Sequence, residues 1–450
     1  MNPEFRRNLW LEASPRRMTW AAVTLALVYA AALLSTRGRP EFAPHALSAA
    51  GFVVFLVCGL LWGARSAGGA VLGEITERTW DFQRLSALTP WQMTWGKLFG
   101  ASSLAWICAL SGLAAMIPLM QQTRAPDWPW RLAFLIELAL LLQGLSLAAA
   151  LVGVRKARAE GRPARGGAVL GGLVLGLVLL LGVAGSRGFQ HGTGLAWATR
   201  IFEGQGFVDW WGVIRPAAHF RAVAVAGFAA FAVAGAWRLM RLELMMRSAL
   251  LVWPAFLVYL AVFAGGFPFR NGGLGASLLT AALAVALCVY AAAFAEPADR
   301  VRLRRFASAV RAGDLAEAAH LAPAALTPLL FAAGLLLAAV LTGDVHGPRL
   351  WQTAALVAFV ARDLAIVAIF RLGPRPQRGD LSAILALALA YAVGGIVAAS
   401  MFGAEGAAMV APSGSMGSVV AGLIQAVALW ALAARRLSAP PAAPASAPAS

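Results

Sequence analysis

An all-α, polytopic membrane protein is the fold class this sequence predicts, and three observations predict it. Of 450 residues, 60% are hydrophobic and only 13% charged, more apolar surface than a soluble domain can bury. Apolar runs of membrane-crossing length recur along the chain. All but one of the 37 lysines and arginines, Arg362 being the exception, fall outside those runs, mostly in the short connections between them, where cations set topology and meet anionic lipid heads. That placement assigns the net charge of +17 to the membrane surface and argues against nucleic acid as a partner. Cys58, Cys108 and Cys288 fall inside apolar runs without paired spacing, as buried small hydrophobes do, and indicate neither disulfides nor a zinc site.

From the N-terminus, residues 1–18 start a helix at Asn2-Pro3-Glu4 and set Phe5, Leu9 and Trp10 against Arg6 and Arg7, as an interfacial helix does. Arg16 and Arg17 before an apolar run to Leu34, with Ala30-Ala31-Ala32 as a cleavage site, also fit a twin-arginine or secretory signal. The many further runs favour an uncleaved first span. Runs at Thr19 to Ser35, Ala46 to Ala64, Leu98 to Met120, Leu132 to Val154, Gly167 to Gly185 and Ala222 to Trp237 make a first half, residues 19–240. Runs at Ala249 to Phe267, Leu274 to Ala295, Leu326 to Thr342, Gln352 to Phe370, Leu381 to Phe402 and Met416 to Ala434 make a second, residues 241–437. About 12 transmembrane helices are therefore expected, readable as two six-helix halves, followed by a disordered Pro-Ala-Ser tail at 438–450. In the fifth run, Gly167-x-x-x-Gly171 and Gly172-x-x-x-Gly176 offer small faces for helix packing.

The chain is organised around Gly73 to Gly100. Drawn as one helix, Leu72, Ile75, Thr79, Phe82 and Leu85 share a side. Glu74, Glu77, Arg78, Asp81 and Arg84 share the other, with Glu74 and Arg78, and Asp81 and Arg84, at pairing distance, and this charged face is expected in solvent. Thr89-Pro90-Trp91-Gln92 is a capping box with proline at the first helical position. A second helix therefore starts at Pro90 and runs through Gly96 and Lys97 into the apolar run, giving helix, sharp turn, helix at a membrane surface.

The motifs Glu77-Arg78-Thr79-Trp80-Asp81, Leu85-Ser86-Ala87-Leu88-Thr89-Pro90 and Gly96-Lys97-Leu98 resemble the first cytoplasmic loop of ABC-2-type permeases, the membrane subunits of ATP-binding-cassette transporters. Arg78 stands where many members carry glycine. The resemblance spans roughly the first 240 residues. It implies that residues 65–97 hold a coupling helix touching a separate ATPase subunit, with Glu74, Glu77, Arg78, Asp81, Arg84, Thr89 and Pro90 at the contact. It also implies that residues 1–18 form the elbow helix before the first span.

With the N-terminus cytoplasmic, 26 lysines and arginines fall inside and ten outside, which puts both termini and the 65–97 loop in the cytoplasm. The second half has its own charged loop at 296–325, with Arg300, Arg302, Arg304 and Arg305, then Gly313 and an Asp314-x-x-Glu317 capping box, again two short helices. Ala-Leu-Thr-Pro occurs at 87–90 and at 325–328, read as a hint of duplication. Between Arg187 and Phe220, Trp197, Phe202, Trp210 and Trp211 are spaced as in an interfacial or re-entrant aromatic helix, with an outer gate as the sharper reading.

No phosphate-cradling Gly-x-x-x-x-Gly-Lys-[Ser/Thr] occurs, so no cofactor is expected on this chain and ATP is left to a partner. His-Glu-x-x-His and Gly-x-Ser-x-Gly are absent, and His45, His191, His219, His320 and His346 read as lying in connections. Intramembrane polar residues are few. Glu137 and Gln143 share the fourth run, and Arg362 and Asp363 are neighbours pointing about 100° apart that need not pair. They are candidates for a polar path or for a bundle-facing structural role.

The reading is a non-enzymatic, multi-pass permease of an ABC exporter in a bacterial inner membrane. Its partners would be an ABC ATPase subunit, lipids, and a second copy or second permease. One rival is a gradient-driven secondary transporter using Glu137 or Asp363, against which the scarcity of intramembrane charge and broken helices counts. A second rival is a membrane-embedded transferase acting on lipid-linked substrates.

Overall fold

The computed structural model describes residues 2–86, 88–122, 127–159, 206–247, 250–297, 299–345, 347–373 and 378–438. The chain is an all-α polytopic membrane protein. Among the described residues nine helices are long and apolar enough to cross a membrane, and ten if one sharply bent pair counts as a span. The chain divides into two compact units, the first ending at residue 253 and the second running from residue 254 and also including residues 209–213.

The first unit begins with α1 (Pro3–Glu12), whose N-cap Asn2 accepts the Glu4 and Phe5 N–H groups ahead of a proline at the first position. It continues with α2 (Pro15–Leu34) and α3 (Pro40–Thr76), which carries a π turn at Leu56–Trp62. Two short helices, α4 (Trp80–Arg84) and α5 (Pro90–Trp95), lead through a second π turn, Gly96–Gly100, to α6 (Ser103–Gln122), α7 (Trp128–Ala159) and α8 (Ala217–Glu243). α3 and α6 meet backbone to backbone: a Cβ on Gly51 would lie 2.4 Å from the Gly112 carbonyl oxygen, so only glycine permits the approach. Trp80, Val71, Met93, Leu98, Leu147 and Met240 close one buried cluster, and Phe55, Leu113, Phe134 and Val225 belong to another.

The second unit holds α9 (Val252–Gly265), α10 (Phe269–Ala295), α11 (Arg300–Ala312), α12 (Leu315–Leu321), α13 (Leu326–Leu341), α14 (Pro348–Arg371), α15 (Gly379–Val410) and α16 (Met416–Ser438). Asp299 caps α11, Gly313 ends it in the left-handed conformation, and Asp314 accepts the Glu317 N–H to start α12, as the spacing of these residues predicts. α14 is the enclosed member, packed along α16 where Gly422 meets Phe359.

Several expectations change. The runs at Ala249 to Phe267 and Leu326 to Thr342 form helices of only 14 and 16 residues, and the latter is bent 113° from α12. The fifth run, with its glycine motifs, lies outside the described residues, as do His191, His346, Trp197, Phe202 and the tail from residue 439. The spans are broken more often than expected, with a third π turn at Ala390–Gly394 and positive-φ breaks at Gly273 and Gly403. Residues 207–216 are a β-hairpin (β1 Phe207–Trp210, β2 Val213–Pro216), not an aromatic helix, turning through Trp211 and Gly212 at positive φ. The Trp210 and Trp211 indoles donate to the carbonyls of Phe263 and Val262, each at 3.0 Å, completing the end of α9. The Ala-Leu-Thr-Pro repeats are not equivalent: Thr89 is an N-cap, whereas Thr327 sits inside the first turn of α13.

Candidate functional site

Residues 65–97 do not form the expected continuous amphipathic helix. α3 ends at Thr76 in a Schellman turn: the Thr79 N–H reaches the Glu74 carbonyl at 2.8 Å, the Arg78 N–H reaches Ile75 at 3.1 Å, and Arg78 takes φ +58. That left-handed position is the one where a glycine would sit without strain. The break rotates α4 relative to α3. Phe82 and Leu85, expected on the inward face, are 78% and 86% exposed, while Trp80 and Gln83 turn in. Asp81 and Arg84 pair at 3.5 Å, but Glu74 does not join Arg78 on a solvated face.

Glu74 is instead buried against Lys97, which itself has no exposed surface. The Lys97 ammonium donates to Glu74, to Glu4 at 3.3 Å and to Gln83 at 3.2 Å, and lies 5.2 Å from the Trp80 ring centroid. Arg7 donates to Glu74 and to Glu4 at 3.1 Å, and Gln83 donates to Glu74 at 2.6 Å. Two carboxylates face two cations, so the cluster is neutral as a whole, the condition under which buried charge is tolerated. The inward face of α1 is therefore polar, Glu4 and Asn8, while Trp10 points out. Docking of α1 requires the glycines of the π turn: a Cβ on Gly96 would lie 2.4 Å from Glu4 Cγ, and one on Gly100 would lie 2.8 Å from Asn8 Cβ. The Gly96-x-x-x-Gly100 spacing is the sequence signal for this contact. The position of Lys97 within Gly-Lys-Leu does not reveal its partners.

Mounted on this base, the tip exposes Glu77, Arg78, Asp81, Phe82 and Leu85. The Thr89 capping box forms as predicted, Thr89 accepting the Gln92 N–H at 3.2 Å and donating its own N–H to the Gln92 side chain at 2.9 Å. Thr89 is exposed and Pro90 and Arg84 are half-buried.

The four intramembrane candidates fall into three settings. Gln143 is fully buried and structural, accepting from Ser102 at 3.3 Å and Trp106 at 3.0 Å and donating to the Gly59 carbonyl at 3.1 Å. Arg362 and Asp363 do pair, because the long guanidinium folds back over the one-residue offset: Nε to Oδ1 is 2.8 Å. Asp363 Oδ2 also accepts from Tyr290 at 2.6 Å and Tyr391 at 2.7 Å. Arg362 Nη1 reaches the Val410 carbonyl at 3.0 Å and Gln425 at 3.1 Å. This network fastens α10, α14, α15 and α16 together. Glu137 differs. Its Oε2 is buried without a hydrogen-bond partner, and its side chain lines a groove of about 650 Å³. Of the histidines, His45 and His219 lie near the N-terminal ends of apolar helices rather than in connections, and His219 faces Asp127 at 3.2 Å. Comparison with known proteins found no matching family model, no matching curated protein and no matching solved structure.

Proposed function

We propose that this chain is the membrane permease of an ATP-binding-cassette exporter, translocating its substrate through conformational changes driven by a separate ATPase. The observation that carries the reading is the loop at 65–97: a neutral ion cluster, buried but for Arg7, holds it against α1 and the π turn that precedes α6, while its tip offers charged and apolar side chains together. A segment that transmits force between subunits needs both a rigid attachment and an accessible face, and the resemblance to ABC-2-type permeases rests on the same residues. The excess of cations in alternate connections orients this loop and both termini to the cytoplasm of a bacterial inner membrane. In this reading the chain crosses the membrane 12 times.

The test is capture of a soluble ATPase on the membrane-inserted chain and substrate-stimulated ATP hydrolysis by the pair. Reversing Glu77 and Asp81 to Lys sets like charge against like at the rim of the contact. Capture and stimulation are expected to fall at least tenfold while the permease keeps its thermal midpoint. Unchanged stimulation in that variant would remove the coupling role and the main support for the family. The gradient-driven alternative is favoured by one observation, the unpartnered carboxyl of Glu137, and predicts transport in proteoliposomes without any ATPase.

A further inference from the structure

In the first unit, α5 and its π turn, α7 and α8 line the open groove of about 650 Å³, within the size range of small-molecule sites. One wall is a run of rings, Trp91, Trp95 and Phe99, with centroids 5.7 and 4.3 Å apart in succession. The opposite wall is α8, where Ala226, Ala229 and Ala230 create the hollow by having so little side chain. The lining is apolar with one exception, Glu137, whose Oε2 is the buried atom without a partner. A carboxyl in such a lining carries an uncompensated cost that a cation or donor from a ligand would relieve. Indole faces beside a carboxylate are the setting in which organic cations gain both cation–π and ion-pair attraction.

We propose that this groove binds a lipophilic organic cation, with Glu137 as its counter-ion and Trp91 and Trp95 against its apolar body. The inference names a cargo class and to that extent rests on the permease reading, but the binding itself needs no ATPase. The probe is tritiated tetraphenylphosphonium, measured by equilibrium binding to the full chain purified in detergent, with unlabelled tetraphenylborate, its near-isosteric anion, as competitor. Saturable binding is expected, with affinity at least tenfold weaker in Glu137→Gln and no effective competition from the borate. Ala230→Trp, a substitution at an exposed position of the groove wall, is expected to abolish binding while leaving the elution profile and thermal midpoint unchanged. Absence of saturable binding, equal competition by the borate, or full affinity in Glu137→Gln would each overturn the proposal. Capture of an ATPase by a chain that fails these tests would leave the permease reading standing. Binding by a chain that captures none would sink the ATPase reading alone.

Discussion

The two charged loops look alike in sequence, each a pair of short helices between apolar runs, yet they use their charges in opposite ways. In the first, at 65–97, acids and cations neutralise one another inside the protein, around Lys97. In the second, at 296–325, arginines are spent on backbone. Arg302 donates to the carbonyls of Leu321 at 3.1 Å and Ala322 at 2.8 Å and pairs with Glu296, which also accepts the Ala324 N–H at 2.7 Å. Arg300 reaches the Leu372 carbonyl, and Arg304 the Leu437 carbonyl at 2.9 Å. Leu321, Leu372 and Leu437 lie at the C-terminal ends of α12, α14 and α16, where carbonyls lack helical partners and the macrodipole favours cations. One loop is a mount that leaves its tip free, and the other is a clasp over helix ends.

The sharpest way to break this comparison is Lys97→Met. It leaves Glu4 and Glu74 with the half-exposed Arg7 as their one cation and so one negative charge uncompensated in a buried site, a loss expected to cost about 3 to 5 kcal/mol, seen as a large fall in thermal midpoint and new protease sensitivity at the N-terminus as α1 detaches. A midpoint within a degree or two of the parent would mean the cluster is solvated and the mount does not exist. Next in size is Arg302→Ala in the clasp. It removes three bonds but leaves carbonyls that water can reach at the membrane surface, so about 1 to 3 kcal/mol is expected, with faster hydrogen exchange confined to residues 296–325. Exchange changes spread over α14 and α16 would show that the clasp bears on the whole second unit.

Arg78→Gly goes the other way. Relieving a left-handed position of its side chain is expected to stabilise the first loop by up to about 1 kcal/mol, raising the thermal midpoint slightly. A lower midpoint would show that the guanidinium makes a contact worth more than the strain. Smallest of all is the stability effect of reversing Glu77 and Asp81, expected within about 0.5 kcal/mol because both are exposed. If that variant unfolds, the tip is not the free face that the docking role requires.

Legibility tracks the range of the interaction. The Thr89 capping box, the Asp299 and Asp314 caps and the placing of most apolar helices depend on residues within about four positions of one another, and on hydropathy, which any sequence displays. Where two distant segments must meet, local pattern misleads. Helical phase assigns Glu74 to solvent, but Lys97 and a turn at Arg78 that ends the helix override it. An angle between Cβ directions separates Arg362 from Asp363, but it ignores the reach of a guanidinium. The tryptophans at 210 and 211 belong to a hairpin because the open carbonyls of α9 lie within reach of their indoles.

By itself, then, the sequence determined the class of protein, the positions of its two charged loops and the caps that start their helices, since apolar length and local hydrogen bonding are written in neighbouring residues. The tertiary structure decided which side of each loop faces inward, which charges are neutralised, and that Glu137 alone among the intramembrane candidates has an oxygen buried without a partner. Those outcomes depend on the free energy of pairing groups brought together from as far apart as Glu4 and Lys97, and no local pattern encodes it.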